Sequence, residues 1–424
     1  MKHVLTSAGL LALGAAALHA FDPELTRQKT GRPWSVAATV RGFYDDNVAT
    51  QKDSLAEESF GFEVSPSARL NLPLEQTFIS LGYIYTFRWY EDREPNDTDQ
   101  NHEFNGKLRH QFSPRHNIAV DDSFVITSEP SIVDRGGIIT APTRLRSKAD
   151  VTHNRGAIED NIDLTQQIGL SLGYVNSWYD YEQENTPGIF GSRSALLDRM
   201  EHLFRIDGRY TFSPSLVGIL GYNFGINDYT GDELIQPALP PFRPAMESDE
   251  RDNYTHLIYL GADYDVSSKL RTSLRLGGQY TDYHEAGETS ISPFADASLS
   301  YVYLPGSAVE AGVRHTRSAT DVVAADGSGT PTLDAETTAI YGELTHRITP
   351  KLVGSLLGQY QHSTFNDGAS DGESEDLFLV GINFEYRFTR HFTGEIGYNF
   401  DLLESDLDRD YDRNRIYVGL RASY

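Results

Sequence analysis

Tyr411–Tyr424 reads YDRNRIYVGLRASY, and it alternates without a break. Ile416, Val418, Leu420, Ala422 and Tyr424 fall on one face, and Arg415, Tyr417, Gly419, Arg421 and Ser423 on the other. A period of two is the signature of a strand lying between an apolar phase and water. An alternating strand that ends on an aromatic residue is what closes an outer-membrane β-barrel, and its apolar face would serve as the membrane-insertion signal. A soluble sandwich also alternates, so the rest of the chain has to decide.

Upstream, short turn signals recur, each opening a long alternating segment. They read NLPLE at Asn71–Glu75, FSPRH at Phe112–His116, LTQQ at Leu164–Gln167 and FSPSL at Phe212–Leu216. VSSK at Val266–Lys269, LPGS at Leu304–Ser307, ITPK at Ile348–Lys351 and FTRH at Phe388–His391 complete the set. Eight tight turns join sixteen strands in pairs, and a lone strand at each end makes eighteen. The first would run from about Trp34 to Asp46 and pair with the last; sixteen strands is the alternative count. The copy Ile79, Leu81, Tyr83, Tyr85, Phe87 and Trp89 is the most aromatic outward face. Between the pairs lie longer polar segments such as Glu91–Glu103, Glu129–Ser147, Tyr181–Leu197, Asp232–Arg251, Thr316–Thr332 and Ser363–Asp376. Short turns on one rim and long loops on the other is the asymmetry of bacterial outer-membrane barrels. The irregular spacing speaks against a solenoid or propeller, and the strands are too long for propeller blades.

Composition agrees. Over 424 residues only 39% are hydrophobic, yet 11% are aromatic, with 24 Tyr and 36 Gly. Mean hydropathy is -0.43, lean for a large buried core. A barrel wall needs no such core, because its apolar face meets lipid, and tyrosine favours the membrane interface. Without cysteine there are no disulfides, thiolate metal sites or Cys nucleophile. Residues 1–20 read as a secretory signal: Lys2 and His3, then the apolar Leu10–Leu18, with cleavage after Ala20. The apolar run is shorter than the ~20 residues a helical span needs. Residues 21–33 then form a short periplasmic segment and 34–424 the barrel.

The terminal YDRNRIYVGLRASY, the SP and TP turns ahead of alternating strands, and the signal segment together resemble β-barrel porin-like families of Gram-negative bacteria. The similarity is nearest to a porin-like group some of whose members accompany exopolysaccharide genes. The resemblance implies an outer-membrane barrel with a pore and carries no catalytic motif. HExxH, GxSxG, P-loop and dinucleotide GxGxxG signatures are absent from the chain, so a non-enzymatic protein without cofactor is expected. A Ser, His and Asp set assembled across strands is the enzyme alternative. The 13 histidines show no ligand spacing, and His116 and His391 sit beside predicted turns.

The net charge of -25 is divided between wall and loops. Strand phase places Arg41, Arg69, Arg88, Lys107, Arg109, Arg205, Arg209, Arg271, Arg275, Arg314, Arg347, Arg387, Arg415 and Arg421 inward. The inward acids are Glu63, Asp121, Glu159, Asp207, Asp263, Glu310, Glu343, Glu385, Glu395 and Asp401, for a slightly basic lumen. Either these groups form cross-strand ladders, or the arginines line an anion-attracting passage. Asp406, Asp408 and Asp410 are weak calcium candidates, since the EF-hand glycine and terminal glutamate are missing. The Pro-rich stretch Pro237–Met246 is stiff, and it is either a plain outer loop or a constriction folded over the mouth. Inward Tyr90, Tyr259, Tyr341 and Tyr417 are candidates for stacking on sugars.

The expectation is a channel passing small polar or anionic solutes by diffusion, with polysaccharide export as a variant. A structural or receptor barrel with an occluded lumen is the alternative. A TonB-type gated receptor is not expected, because about 400 mature residues leave no room for a plug domain beside a 22-strand wall. Expected partners are outer-membrane lipids and lipopolysaccharide, the barrel assembly machinery, and small solutes or a glycan. Nucleic acid is excluded as a partner by the negative charge.

Overall fold

The computed structural model describes residues 33–93, 96–128, 150–182, 193–231, 234–236, 238, 245–322 and 330–424. The proposed signal and, Pro33 apart, the segment ahead of the first strand lie outside them. The first nine strands are β1 (Trp34–Asp45), β2 (Ser59–Pro73), β3 (Thr77–Tyr90), β4 (Thr98–Ser113), β5 (His116–Thr127), β6 (Val151–Asp163), β7 (Ile168–Tyr181), β8 (Arg199–Ser213) and β9 (Leu216–Tyr229). A short helix α1 (Arg193–Leu197) precedes β8, and a small hairpin of β10 (Leu234–Gln236) and β11 (Met246–Glu247) follows β9. The wall resumes with β12 (Asn253–Asp265), β13 (Leu270–Tyr283), β14 (Glu288–Leu304), β15 (Ser307–Ser318) and β16 (Asp334–Arg347). It ends with β17 (Leu352–Asn366), β18 (Ser374–Arg387), β19 (Phe392–Ser405) and β20 (Tyr411–Ser423).

Eighteen of these strands form one antiparallel sheet, each pairing with the next, and β20 returns to β1 to close it. Closure matters because an open edge would leave unpaired N–H and C=O groups in lipid. All eight short connections fall where the turn signals stand, from Leu74 to Gln76 through Phe388 to His391. At the seam Ala37 faces Ser423 and Asp45 faces Arg415, while Val36 and Tyr424 exchange two backbone hydrogen bonds of 3.0 and 2.9 Å.

The two faces of the wall differ as the alternation requires. Outward residues such as Val40, Leu81, Ile206, Leu220, Ile258, Leu276, Ile340 and Ile396 are exposed all round the barrel. Ile416, Val418, Leu420 and Tyr424 join them, with Ala422 in the same phase. Soluble proteins rarely leave an apolar patch above a few hundred Å² open to water, so a belt encircling the molecule belongs in a bilayer. The belt is bounded by interfacial groups. Near the loop rim the Tyr83–His102, Tyr174–His202 and Tyr222–His256 hydrogen bonds measure 2.9, 2.9 and 2.8 Å. On the turn rim His391 donates from Nδ1 to the Ser423 carbonyl at 2.9 Å, and His116 Nε2 meets Asp160 at 2.8 Å. Of the histidines scattered along the sequence, His102, His202 and His256 are thus brought to the outer face beside tyrosines, while His153 is in inward phase with Arg155.

Candidate functional site: the lumen and its mouth

One row of inward residues follows the strand register across the seam. It runs Arg347, Val353, Glu385, Glu395, Gly419, Arg41, Glu63, Arg88, Asp99, one residue from each of nine successive strands, β16 to β20 and β1 to β4. Arg41 lies 2.8 Å from Glu63 and 2.5 Å from Glu395, and Arg88 lies 2.8 Å from the other Glu63 oxygen. To reach Glu395 on β19, Arg41 has to pass over β20, and it passes where β20 carries Gly419. A Cβ there would lie 2.8 Å from both Arg41 Cγ and Glu395 Oε1 and 3.0 Å from the Val40 carbonyl. Nearer the loop rim Asp45 of β1 receives Arg413 at 2.5 Å and Arg415 at 2.7 Å from β20, which ties the seam a second time.

The same bridge over a glycine recurs round the wall. Arg205 of β8 spans Gly173 to reach Glu159 of β6 at 3.0 Å. Tyr259 of β12 spans Gly221 to donate to Asp207 of β8 at 2.5 Å, and Tyr417 of β20 spans Gly397 to donate to Asn383 of β18 at 3.2 Å. In each case a long side chain lies along the wall rather than across the lumen. These two tyrosines, with Tyr341 against Gly312, turn one ring face to the sheet, and Tyr90 is fully buried beside Phe43 with Arg93 3.8 Å from its ring. None of the four stands out as a free stacking platform.

The other arginines expected inward lie in inward register. Arg109 pairs with Asp121 at 2.8 Å, Arg271 with Asp265 at 2.8 Å, Arg275 with Asp263 at 2.8 Å and Arg314 with Asp296 at 2.5 Å; Arg209 approaches Asp163 at 3.5 Å. Arg347 and Arg387 stand at the turn-rim ends of β16 and β18, Arg421 faces Thr39 and Thr393, and Arg69 faces Gly82. Glu310 and Glu343 face each other across β15 and β16. The wall is therefore closer to neutral than the slightly basic lumen expected, because Asp45, Asp99, Asp163, Asp265 and Asp296 also face inward. They were missed because each sits at a strand end or, for Asp296, in a serine-rich strand with a weak apolar face. The glycine bridges left a signal that was not used: inward glycines two strands from a long polar side chain.

At the loop rim, connections from distant strands are bound together. Arg251, wholly buried, donates to the Leu196 carbonyl beside β8 at 3.0 Å and to the Thr320 carbonyl after β15 at 2.5 Å, with its guanidinium 4.6 Å from the Tyr229 ring. Ala195, Ile235 and Met246 pack together beneath it. From the other side Arg409, between β19 and β20, reaches Asp321 at 2.7 Å and Glu375 at 3.4 Å. Val322 is buried with Ala335 and Phe365, and Leu407 packs against them. The segment Ala319–Val322 thus meets loops rooted four strands away in each direction. Ala238, Ala245 and Met246 apart, the Pro-rich stretch lies outside the described residues.

Outside the membrane span, burial together with Asp228 and Asp249 pushes the Asp252 carboxyl up to about 6, although it accepts the Tyr229 N–H at 2.7 Å. The calcium candidates do not converge. Asp406 accepts from Ser374, Asp410 from the Ser405 N–H, and Asp408 pairs with Lys52. Among the described residues no three His, Asp or Glu side chains are grouped to hold a metal ion.

A closed eighteen-strand wall with a lipid-facing belt and a polar lumen defines the class: an outer-membrane, porin-like β-barrel. Residues 329–424 match the family model described as "Putative beta-barrel porin 2", in line with the resemblance read from the sequence. Among solved structures, the chain is similar to OccAB2 of Acinetobacter baumannii, with 12% identity, TM-score 0.46 and coverage of 92% of this chain and 98% of that one. The outer membrane protein opdK of Pseudomonas aeruginosa gives 11% identity and TM-score 0.46, covering 92% and 99%. OpdO of the same organism gives 10%, 0.46, 92% and 97%. No curated protein matches the sequence.

Proposed function

We propose that the protein is a non-enzymatic channel through which small polar solutes diffuse, filtered by size and by the lumen charges. The observation that carries this reading is the wall-lying side chains: Arg41, Arg205, Tyr259 and Tyr417 are held flat by partners two strands away, which leaves the middle of the barrel to water. Reconstitution into planar bilayers should give stepwise, ohmic conductance; a folded barrel that never conducts would sink the reading.

A second reading, a barrel whose lumen is shut at the loop side, draws on the Arg251 and Arg409 contacts across the mouth. Zero conductance in the native chain that appears on cutting those contacts would favour it. Export of an extended glycan has less support, since the inward tyrosines lie against wall glycines. The lipid, lipopolysaccharide and assembly-machinery partners belong to the same proposal, as does secretion by the first 20 residues.

A further inference from the structure

The lumen is close to neutral as a whole but not on every arc. Around most of the wall each guanidinium is matched: Arg41 has two glutamates, Arg205 has Glu159 and Asp207, Arg275 has Asp263, and Arg314 has Asp296. The wall from β4 to β6 breaks this pattern. Lys107 on β4 has Asp121 opposite it on β5, but Asp121 gives both its oxygens to Arg109, at 3.0 and 2.8 Å. The other charged neighbours of Lys107 are Arg109 and Arg69, both cations. On β6 Arg155 stands between Ser123 and Ser177, again next to Asp121. Among the described residues neither Lys107 nor Arg155 forms an ion pair, and the inward acids nearby are engaged elsewhere: Glu103 accepts from Asn105 at 2.6 Å, Asp99 pairs with Arg93 at 2.6 Å, Glu159 with Arg205 at 3.0 Å and Glu201 with Arg199 at 2.7 Å.

We infer that Lys107 and Arg155, on either side of β5, form an oxyanion-binding site on the lumen wall, taking solutes that carry a carboxylate or a phosphate. The two flank one strand, so their backbones are separated by about 10 Å laterally and roughly 7 Å along the strands. Their side chains are long enough to converge on one anion in front of Ser123. Arg109, already neutralised, marks the lower edge of the site. β5 is the fifth strand of the wall and β16 the fourteenth, so the facing acids Glu343 and Glu310 lie half-way round the eighteen strands, on the side of the lumen away from this site. Unpaired cations in a polar groove are where fixed charge sets selectivity in pores.

The inference deepens the proposed function but requires only that water reach the lumen, and its test can fail separately. Titrating the refolded full chain in detergent with inorganic phosphate at low ionic strength should give saturable binding by calorimetry. Lys107→Gln with Arg155→Gln should weaken it at least about tenfold, the value of one charge-assisted hydrogen bond. Lys107→Arg should keep it, and Arg314→Gln, which removes a matched cation, should leave it unchanged. Heat-modifiable migration on gels confirms that each variant is folded. Absence of binding by the native chain, or equal loss in Arg314→Gln, overturns the site. Conductance without binding overturns this inference alone, whereas binding without conductance overturns only the channel.

Discussion

At the seam and at the mouth an arginine holds together parts of the chain that are far apart in sequence, but the two do so by different means. Arg41 joins carboxylates on β2 and β19, and its reach depends on Gly419 lying between. Arg251 joins the carbonyls of Leu196 and Thr320 and depends on burial. The first is set by register, which places the partners wherever the ladder is formed, and so it belongs to the folding of the wall. The second is set by loop conformation and can be lost while every strand stays paired. The seam should therefore govern stability and the mouth permeation.

The strongest challenge to that division is Gly419→Leu. The new side chain would collide with Arg41 and Glu395 and with the Val40 carbonyl, combining overpacking with a broken ion pair, for about 4 kcal/mol of lost stability. Urea unfolding followed by gel migration measures this; a loss below about 1 kcal/mol would show that the bridge does not lock the seam. A smaller, local effect is expected from Arg251→Gln, which leaves two buried carbonyls short of a charged donor and costs the loop cap about 3 kcal/mol. Unitary conductance should rise while the urea midpoint of the wall stays put. A shifted midpoint would mean that the mouth is part of the folding unit after all.

The smallest effect concerns pH. Asp252 has its carboxyl raised to about 6 in the folded loop, among Asp228, Asp249 and His284. A raised folded value means the native loop holds a proton that the unfolded chain releases at lower pH. The loop is therefore stabilised below about 4 and loses that contribution as pH rises through about 6. Conductance should decline modestly between pH 7 and 5, and Asp252→Asn should flatten that part of the profile. A pH response that survives the substitution assigns it to another group.

Much of the wall was legible without coordinates because alternation and turn chemistry act locally. Phe212–Leu216 and Phe388–His391 announce their turns, and the phase of each strand follows from its own residues, which put Arg41, Glu63, Arg205 and Glu395 inward. Partners were less legible. That Arg205 meets Glu159, or that Asp45 holds Arg413 and Arg415, depends on the stagger between strands, which no single strand encodes. The small helix α1 and the hairpin of β10 and β11 were not foreseen, since neither is long enough to leave a periodic pattern.

For YDRNRIYVGLRASY the alternating faces and the outward Ile416, Val418 and Leu420 were determined by the sequence itself, because a period of two needs only neighbours along the chain. What Gly419 is for was decided only when β20 was laid between β19 and β1, so that the missing side chain became the space through which Arg41 reaches Glu395. The contact from Arg41 to Glu395 crosses the seam, so it comes from closing the sheet, and closure is a property of the whole barrel.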